Sequence, residues 1–116
     1  MVESALVNER TEKPWGYELL ITCNNQYACK ILNVFKGHRL SLQYHKEKHE
    51  TMYIYSGEGW ITLDGVVNRA GKGCICEIPP MTKHRVEAVT DMTIFEASTP
   101  ELDDVVRVDD DYGRSK

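Results

Sequence analysis

The residues best able to do chemistry lie in one stretch, Gly37-His38-Arg39-Leu40-Ser41-Leu42-Gln43-Tyr44-His45-Lys46-Glu47-Lys48-His49-Glu50. A strand alternates its side chains between two faces, so Arg39, Ser41, Gln43 and His45 are expected on one face and Leu40, Leu42 and Tyr44 on the other. In a small barrel that holds a site, such a polar row turns inward. Gln43 and His45 then point into one cavity, and a short turn at Lys46 to His49 brings the Glu50 carboxylate back to the same place. A fourth ligand, His84, comes from a distant segment, Gly73 to His84, and opens another strand. Two imidazoles, a carboxylate and an amide oxygen form a borderline-hard donor set with room for substrate at open positions. The expected cofactor is one divalent metal ion, Zn²⁺, Mn²⁺ or Co²⁺ ahead of Fe²⁺ or Ni²⁺. Spacing alone equally allows His45 and His84 to be surface histidines near basic neighbours, and places His38 and His49 in solvated turns.

The elements that must position these residues are short. Glycine and proline interrupt the chain at Pro14, Gly16, Gly37, Gly57, Gly59, Gly65, Gly71, Gly73, Pro79, Pro80 and Pro100, which leaves no long helix. Between them, Tyr17 to Thr22, Tyr27 to Phe35, Thr51 to Tyr55, Trp60 to Leu63 and Met92 to Ala97 are rich in β-branched and aromatic residues and read as strands. Asp64-Gly65 predicts a tight hairpin, since its turn needs positive φ. Many short strands at this spacing indicate a sandwich or barrel. At 116 residues, with 41% hydrophobic and 28% charged residues, the chain has the size and mix of one folded domain. A formal net charge of −4 argues against nucleic acid as the main partner. With no apolar run near the ~20 residues that cross a bilayer, and no signal-like start in Met1 to Arg10, no membrane partner and a cytoplasmic location are expected. Cys23, Cys29, Cys74 and Cys76 form no C-x-x-C pair and read as free thiols. The aspartates between Asp103 and Asp111 read, as a bare charge run, as a solvated and mobile end.

The two ligand stretches resemble the cupin family. Gly37, Gln43, His45, Glu50 and Gly57 fall where its first motif has Gly, His, His, Glu and Gly, with Gln43 in place of the first histidine. Gly73, Pro79 and His84 follow the second motif, with Met81 standing where Gly is usual and Ala88 where Asn is usual. Arg39 to His45 is further similar to the Ser-Leu-Gln-x-His signature of type II phosphomannose isomerases, the cupin domains often fused behind a mannose-1-phosphate guanylyltransferase. Lys13-Pro14-Trp15-Gly16 resembles that group's Arg-Pro-Trp-Gly opening, and Asp110-Asp111-Tyr112-Gly113-Arg114 its closing motif, so the likeness covers about residues 13 to 114. Lys48 stands where this group has arginine, and Thr51 where it has histidine.

The resemblance implies an all-β cupin jelly roll, or double-stranded β-helix barrel, as a single domain over residues 1–116, with an ordered acidic tail. It implies that Gln43, His45, Glu50 and His84 hold the metal, and that mannose 6-phosphate and fructose 6-phosphate interconvert through an enediol. Lys48, His49 and Glu58 are then the choices for proton transfer, and Arg39, Ser41, Lys83 and Arg85 for contact with the small sugar-phosphate substrate. Guanylyl transfer is not expected, because 116 residues leave no room for the transferase domain. The replacements at Lys48 and Thr51 favour an alternative, a cupin that binds metal and sugar phosphate without turnover. A cupin oxygenase is a second alternative, disfavoured by Gln43 because an amide is a poorer donor to redox iron than imidazole. A metal-free structural cupin is a third. Small cupins imply a homodimer paired through sheet edges, with Tyr17 to Thr22 as the expected edge.

Overall fold

The alternating segments form eleven strands, and no helix, in a computed structural model that describes residues 9–114. The first part of the Met1 to Arg10 reading therefore lies outside the described residues. In chain order the strands are β1 (Glu9–Lys13), β2 (Gly16–Cys23), β3 (Ala28–Val34), β4 (Leu42–Tyr44), β5 (Glu50–Ser56), β6 (Glu58–Leu63), β7 (Val66–Gly71), β8 (Ile75–Ile78), β9 (His84–Ala88), β10 (Met92–Ser98) and β11 (Val106–Asp109). Two antiparallel sheets result, one ordered β1-β2-β3-β10-β5-β8 and the other β11-β4-β9-β6-β7. The β6–β7 hairpin turns at Asp64 (φ 46°) and Gly65 (φ 85°), the paired positive angles that the Asp-Gly dipeptide predicts. No described helix is long and apolar enough to cross a membrane, and the four cysteines are free thiols.

The enclosed space is divided lengthwise. On β5 the inward positions run Glu50, Met52, Ile54, and on β10 they run Ile94, Glu96, Ser98. The register sets Ile54 against Ile94, Met52 against Glu96 and Glu50 against Ser98, so these strands are apolar at one end and polar at the other. Ile61, Val86 and Ala88 of the opposite sheet join Val34, Ile54, Met92 and Ile94 in a dry core. His84 begins β9 at the polar end, beside Leu63. The core thus fixes the strands whose other ends carry the chemistry.

Three expectations are corrected. First, the alternation drawn from Arg39 to His45 breaks in the middle. Arg39 bridges Glu87 while Gln43 pairs with His84, which leaves three residues on one strand against two on the other, a bulge that reverses the faces. Leu40 and Gln43 both face the interior, and Arg39 and Leu42 line the outside of the sheet. Second, the Tyr17 to Thr22 segment is no edge: β2 is covered by β1 from Glu9 to Lys13, and the edges of its sheet are β1 and β8. Third, the acidic end is built into the fold, as the resemblance and not the charge run implies. Asp110 holds Arg114 through three hydrogen bonds, from its backbone N–H at 2.7 Å and its guanidinium at 2.8 and 3.1 Å, and Asp111 holds Arg39 at 2.6 and 2.8 Å.

Candidate metal centre

The turn between β4 and β5 is held by a residue far away in sequence. Asp104 accepts the backbone N–H groups of Lys46, Glu47 and Lys48 at 3.0, 2.7 and 2.9 Å, which holds its carboxyl down at about 2. Its carbonyl oxygen also accepts a hydrogen bond from His45 Nδ1 at 2.5 Å. The loop before β9 is tied to the same place, because Met81 N–H donates to the His45 carbonyl at 2.7 Å. Met81 takes φ 69°, which accounts for the glycine usual at this position in the cupin motif. His84 Nδ1 lies 2.8 Å from the Thr82 carbonyl. A carbonyl only accepts, so both Nδ1 atoms carry a proton and both Nε2 atoms are turned away from the backbone.

Both Nε2 atoms face one carboxylate. His45 Nε2 lies 3.5 Å from Glu50 Oε1 and His84 Nε2 lies 3.4 Å from Glu50 Oε2, with all three side chains buried. Their ligand atoms lie within 4.8 Å of one another. His45 Nε2 is buried without a hydrogen-bond partner. Two imidazole Nε2 atoms and a carboxylate turned toward one another are a donor set that fits a divalent metal. Gln43 lines the same cavity, and its amide nitrogen donates to Ser41 Oγ at 3.0 Å, which leaves its oxygen uncommitted. Ser41, fully buried, thus positions Gln43 and does not line the cavity as a substrate contact.

Two further titratable groups belong to the centre. Lys48 is buried with Nζ 3.0 Å from Glu50 Oε1 and 3.8 Å from Glu96 Oε2. Burial works against its charge, but Glu96 and Glu50 outweigh it and the amine titrates above its ordinary range. Burial would also raise Glu50, yet Glu96, the two imidazoles and Lys48 hold it well below the ordinary carboxylate range. Glu96 takes the opposite course: burial, then its hydrogen bond to Glu50 and the charge there, push it well above that range. Glu96 was not among the expected site residues. Its signal was a glutamate in phase with Met92 and Ile94 on the apolar face of a strand.

The other expected residues lie elsewhere. His49 pairs with Glu77 at 2.9 Å near the surface, and Glu58 pairs with Arg69 there, so Lys48 alone of the three proton-transfer choices reaches the cavity. Arg39 and Arg85 line a depression on the outer face of the second sheet with Trp60 and Glu87. Arg85 is further committed to the Leu40 and Asp109 carbonyls. Lys83 is exposed beside the Asp64 turn. The bulge at residues 40 to 42 explains Arg39, and alternation from His84 explains Lys83 and Arg85, since neighbours of an inward residue point outward.

The family described as "Mannose-6-phosphate isomerase C-terminal" matches residues 3–110. The chain belongs to this family. Mannose-1-phosphate guanylyltransferase of Escherichia coli (strain K12) is 30% identical over 113 residues, which are 93% of this chain and 24% of that one. The family member thus spans about a quarter of the length of the curated relatives it matches. Among solved structures, an RmlC-like cupin from Shewanella frigidimarina superposes with a TM-score of 0.75 at 18% identity, over 82% of this chain and 86% of that one. Pac13, a nucleoside dehydratase, gives 0.75 at 20% identity over 89% and 86%. These likenesses establish the fold, a cupin barrel.

Proposed function

We propose that this chain is a metal-dependent sugar-phosphate isomerase that interconverts mannose 6-phosphate and fructose 6-phosphate. The observation that carries the reading is the convergence of two proton-fixed imidazoles and Glu50 in a cavity of about 110 Å³ that also holds Gln43, Lys48 and Glu96. Family membership adds support, since the family carries the isomerase name. Gln43, His45, Glu50 and His84 would hold the metal, and when bound it would supply Lewis-acid polarisation of the sugar carbonyl. Lys48 keeps its positive charge beside Glu50 and stabilises negative charge that develops on the sugar oxygens. Glu96, whose carboxyl burial and Glu50 hold toward its protonated form, would exchange a proton with the sugar as the enediol forms and collapses, because it shares the cavity and is not itself one of the proposed ligands. A homodimer in the cytoplasm belongs to the same proposal.

The test follows mannose 6-phosphate conversion by the purified protein with Zn²⁺, Mn²⁺ or Co²⁺, with His84→Ala alongside. Metal-dependent turnover that the variant loses supports the isomerase. No turnover with any metal, from folded protein, sinks it. The second reading, a cupin that binds sugar phosphate without turnover, is favoured by the Lys48–Glu50 pair, in which a point charge replaces the planar fork that arginine would offer.

A further inference from the structure

Lys13, Lys30, Lys48, Arg107 and Arg114 line the cavity against three carboxylates, in a chain whose net charge is −4. Three of these cations are matched: Lys48 by Glu50 at 3.0 Å, Lys30 by Glu18 at 3.5 Å, and Arg114 by Asp110 at 2.8 Å. Lys13 and Arg107 form no ion pair among the described residues, and Arg107 Nε is buried without a hydrogen-bond partner. An unmet buried donor in a cavity marks the place of an acceptor that the chain itself does not supply. A divalent metal at the other end would add to the positive excess.

The strand register places this donor relative to the ligands. Arg107 pairs with Gln43, and Gln43 pairs with His84. Residues paired directly across strands project from one face. The row from His84 through Gln43 to Arg107 therefore crosses two strand spacings, about 10 Å at ~4.8 Å each. Lys13, Lys30 and Arg107 also line the groove adjoining the cavity, so the unmatched charge sits where the two meet.

We propose that Arg107 and Lys13, flanked by Lys30, form a subsite for a phosphate monoester, which holds the dianion while the far end of the ligand meets the Gln43, His45, Glu50 and His84 cluster. The guanidinium fork suits two phosphate oxygens, and Lys13 adds a point charge. This subsite rests on the sugar-phosphate reading above and replaces Arg39, Lys83 and Arg85 as the phosphate contacts.

The probe is mannitol 6-phosphate, which keeps the phosphate but has no carbonyl to isomerise, compared with mannitol by calorimetric titration of the Zn²⁺-loaded protein. The phosphate compound is expected to bind at least about tenfold tighter than mannitol, with the advantage shrinking as salt is raised. Arg107→Gln and Lys13→Gln should each remove most of that advantage, while Arg39→Gln, on the outer face, leaves it intact. Zn²⁺ titration of each variant reports whether the cluster is still assembled, and Arg107→Lys and Lys13→Gln carry the test if Arg107→Gln does not fold. Equal affinity for the two compounds, or a folded Arg107→Gln that binds like the parent, overturns the subsite. Binding that depends on phosphate and Arg107 in a protein that never turns over mannose 6-phosphate upholds the subsite while the isomerase fails. Turnover with unchanged KM in Arg107→Gln does the reverse.

Discussion

Glu50 and Glu96 share one pocket of the barrel, and they cannot share one role. Glu50 faces both imidazoles and is held ionised, whereas Glu96 touches Glu50 and Lys48 and no histidine. Glu96→Gln keeps the size and hydrogen-bonding shape but cannot carry a proton. Its kcat is expected to fall by ~10²–10⁴ with Zn²⁺ stoichiometry unchanged. A variant that keeps near-parental kcat would remove Glu96 from proton transfer; one that loses the metal would make it part of the ligand cluster. That Gln43, His45, Glu50 and His84 share one cavity was legible because fixed spacing from glycines and prolines survives in sequence whatever the strands do. Glu96 and Arg107 were not, because each acquires its meaning from a cross-strand partner, Met52 for one and Gln43 for the other, that only the register supplies.

Single elements of the fold act through their ends. The turn at residues 46–48 depends on Asp104, which performs for three N–H groups the service that a capping side chain performs for a helix end. Asp104→Ala is expected to destabilise the protein by about 1–2 kcal/mol, as lost caps do. The native pKa of Asp104, about 2, lies below the unfolded value, so its contribution is complete above the ordinary aspartate range and fades as pH falls toward 2. The difference in thermal midpoint between parent and variant should therefore be flat at neutral pH and shrink between about pH 4 and 2; a difference that grows on acidification would contradict this. Met81 makes the opposite prediction. Its left-handed backbone costs roughly 1–2 kcal/mol for a residue with a Cβ, its side chain is 61% exposed, and glycine gives back roughly 0.5–1 kcal/mol through its freer unfolded chain. Met81→Gly should be neutral to slightly stabilising in urea melts, and a loss of more than about 1 kcal/mol would show that the side chain has a packing role. The strands themselves were legible from alternation, but the bulge at residues 40 to 42 was not: nothing in Leu40-Ser41-Leu42 distinguishes a continuous strand from one that slips by a residue, and that slip sent Arg39 outward.

The whole molecule couples its two ends. The apolar end stands on its own contacts, with Ile54, Met92 and Ile94 buried, while the polar end turns Glu50, His45 and His84 toward one another with Lys48 as the nearby cation. Since a preformed cluster of this kind does not exist in the unfolded chain, metal affinity adds to folding stability. Zn²⁺ at about 100 times its dissociation constant should stabilise the protein by roughly 2.7 kcal/mol, which for a domain of this size is a rise in thermal midpoint of about 10 °C. Chelation should reverse the rise, and His84→Ala should abolish it while melting no lower than the metal-free parent, since the variant removes one of the converging side chains from the buried cluster. That last comparison is the sharper one. If the crowding of polar side chains around Glu50 is a cost that the fold bears for the metal, truncating His84 relieves part of it; if His84→Ala instead melts well below the metal-free parent, the imidazoles are packing elements first and the cluster is satisfied without a metal.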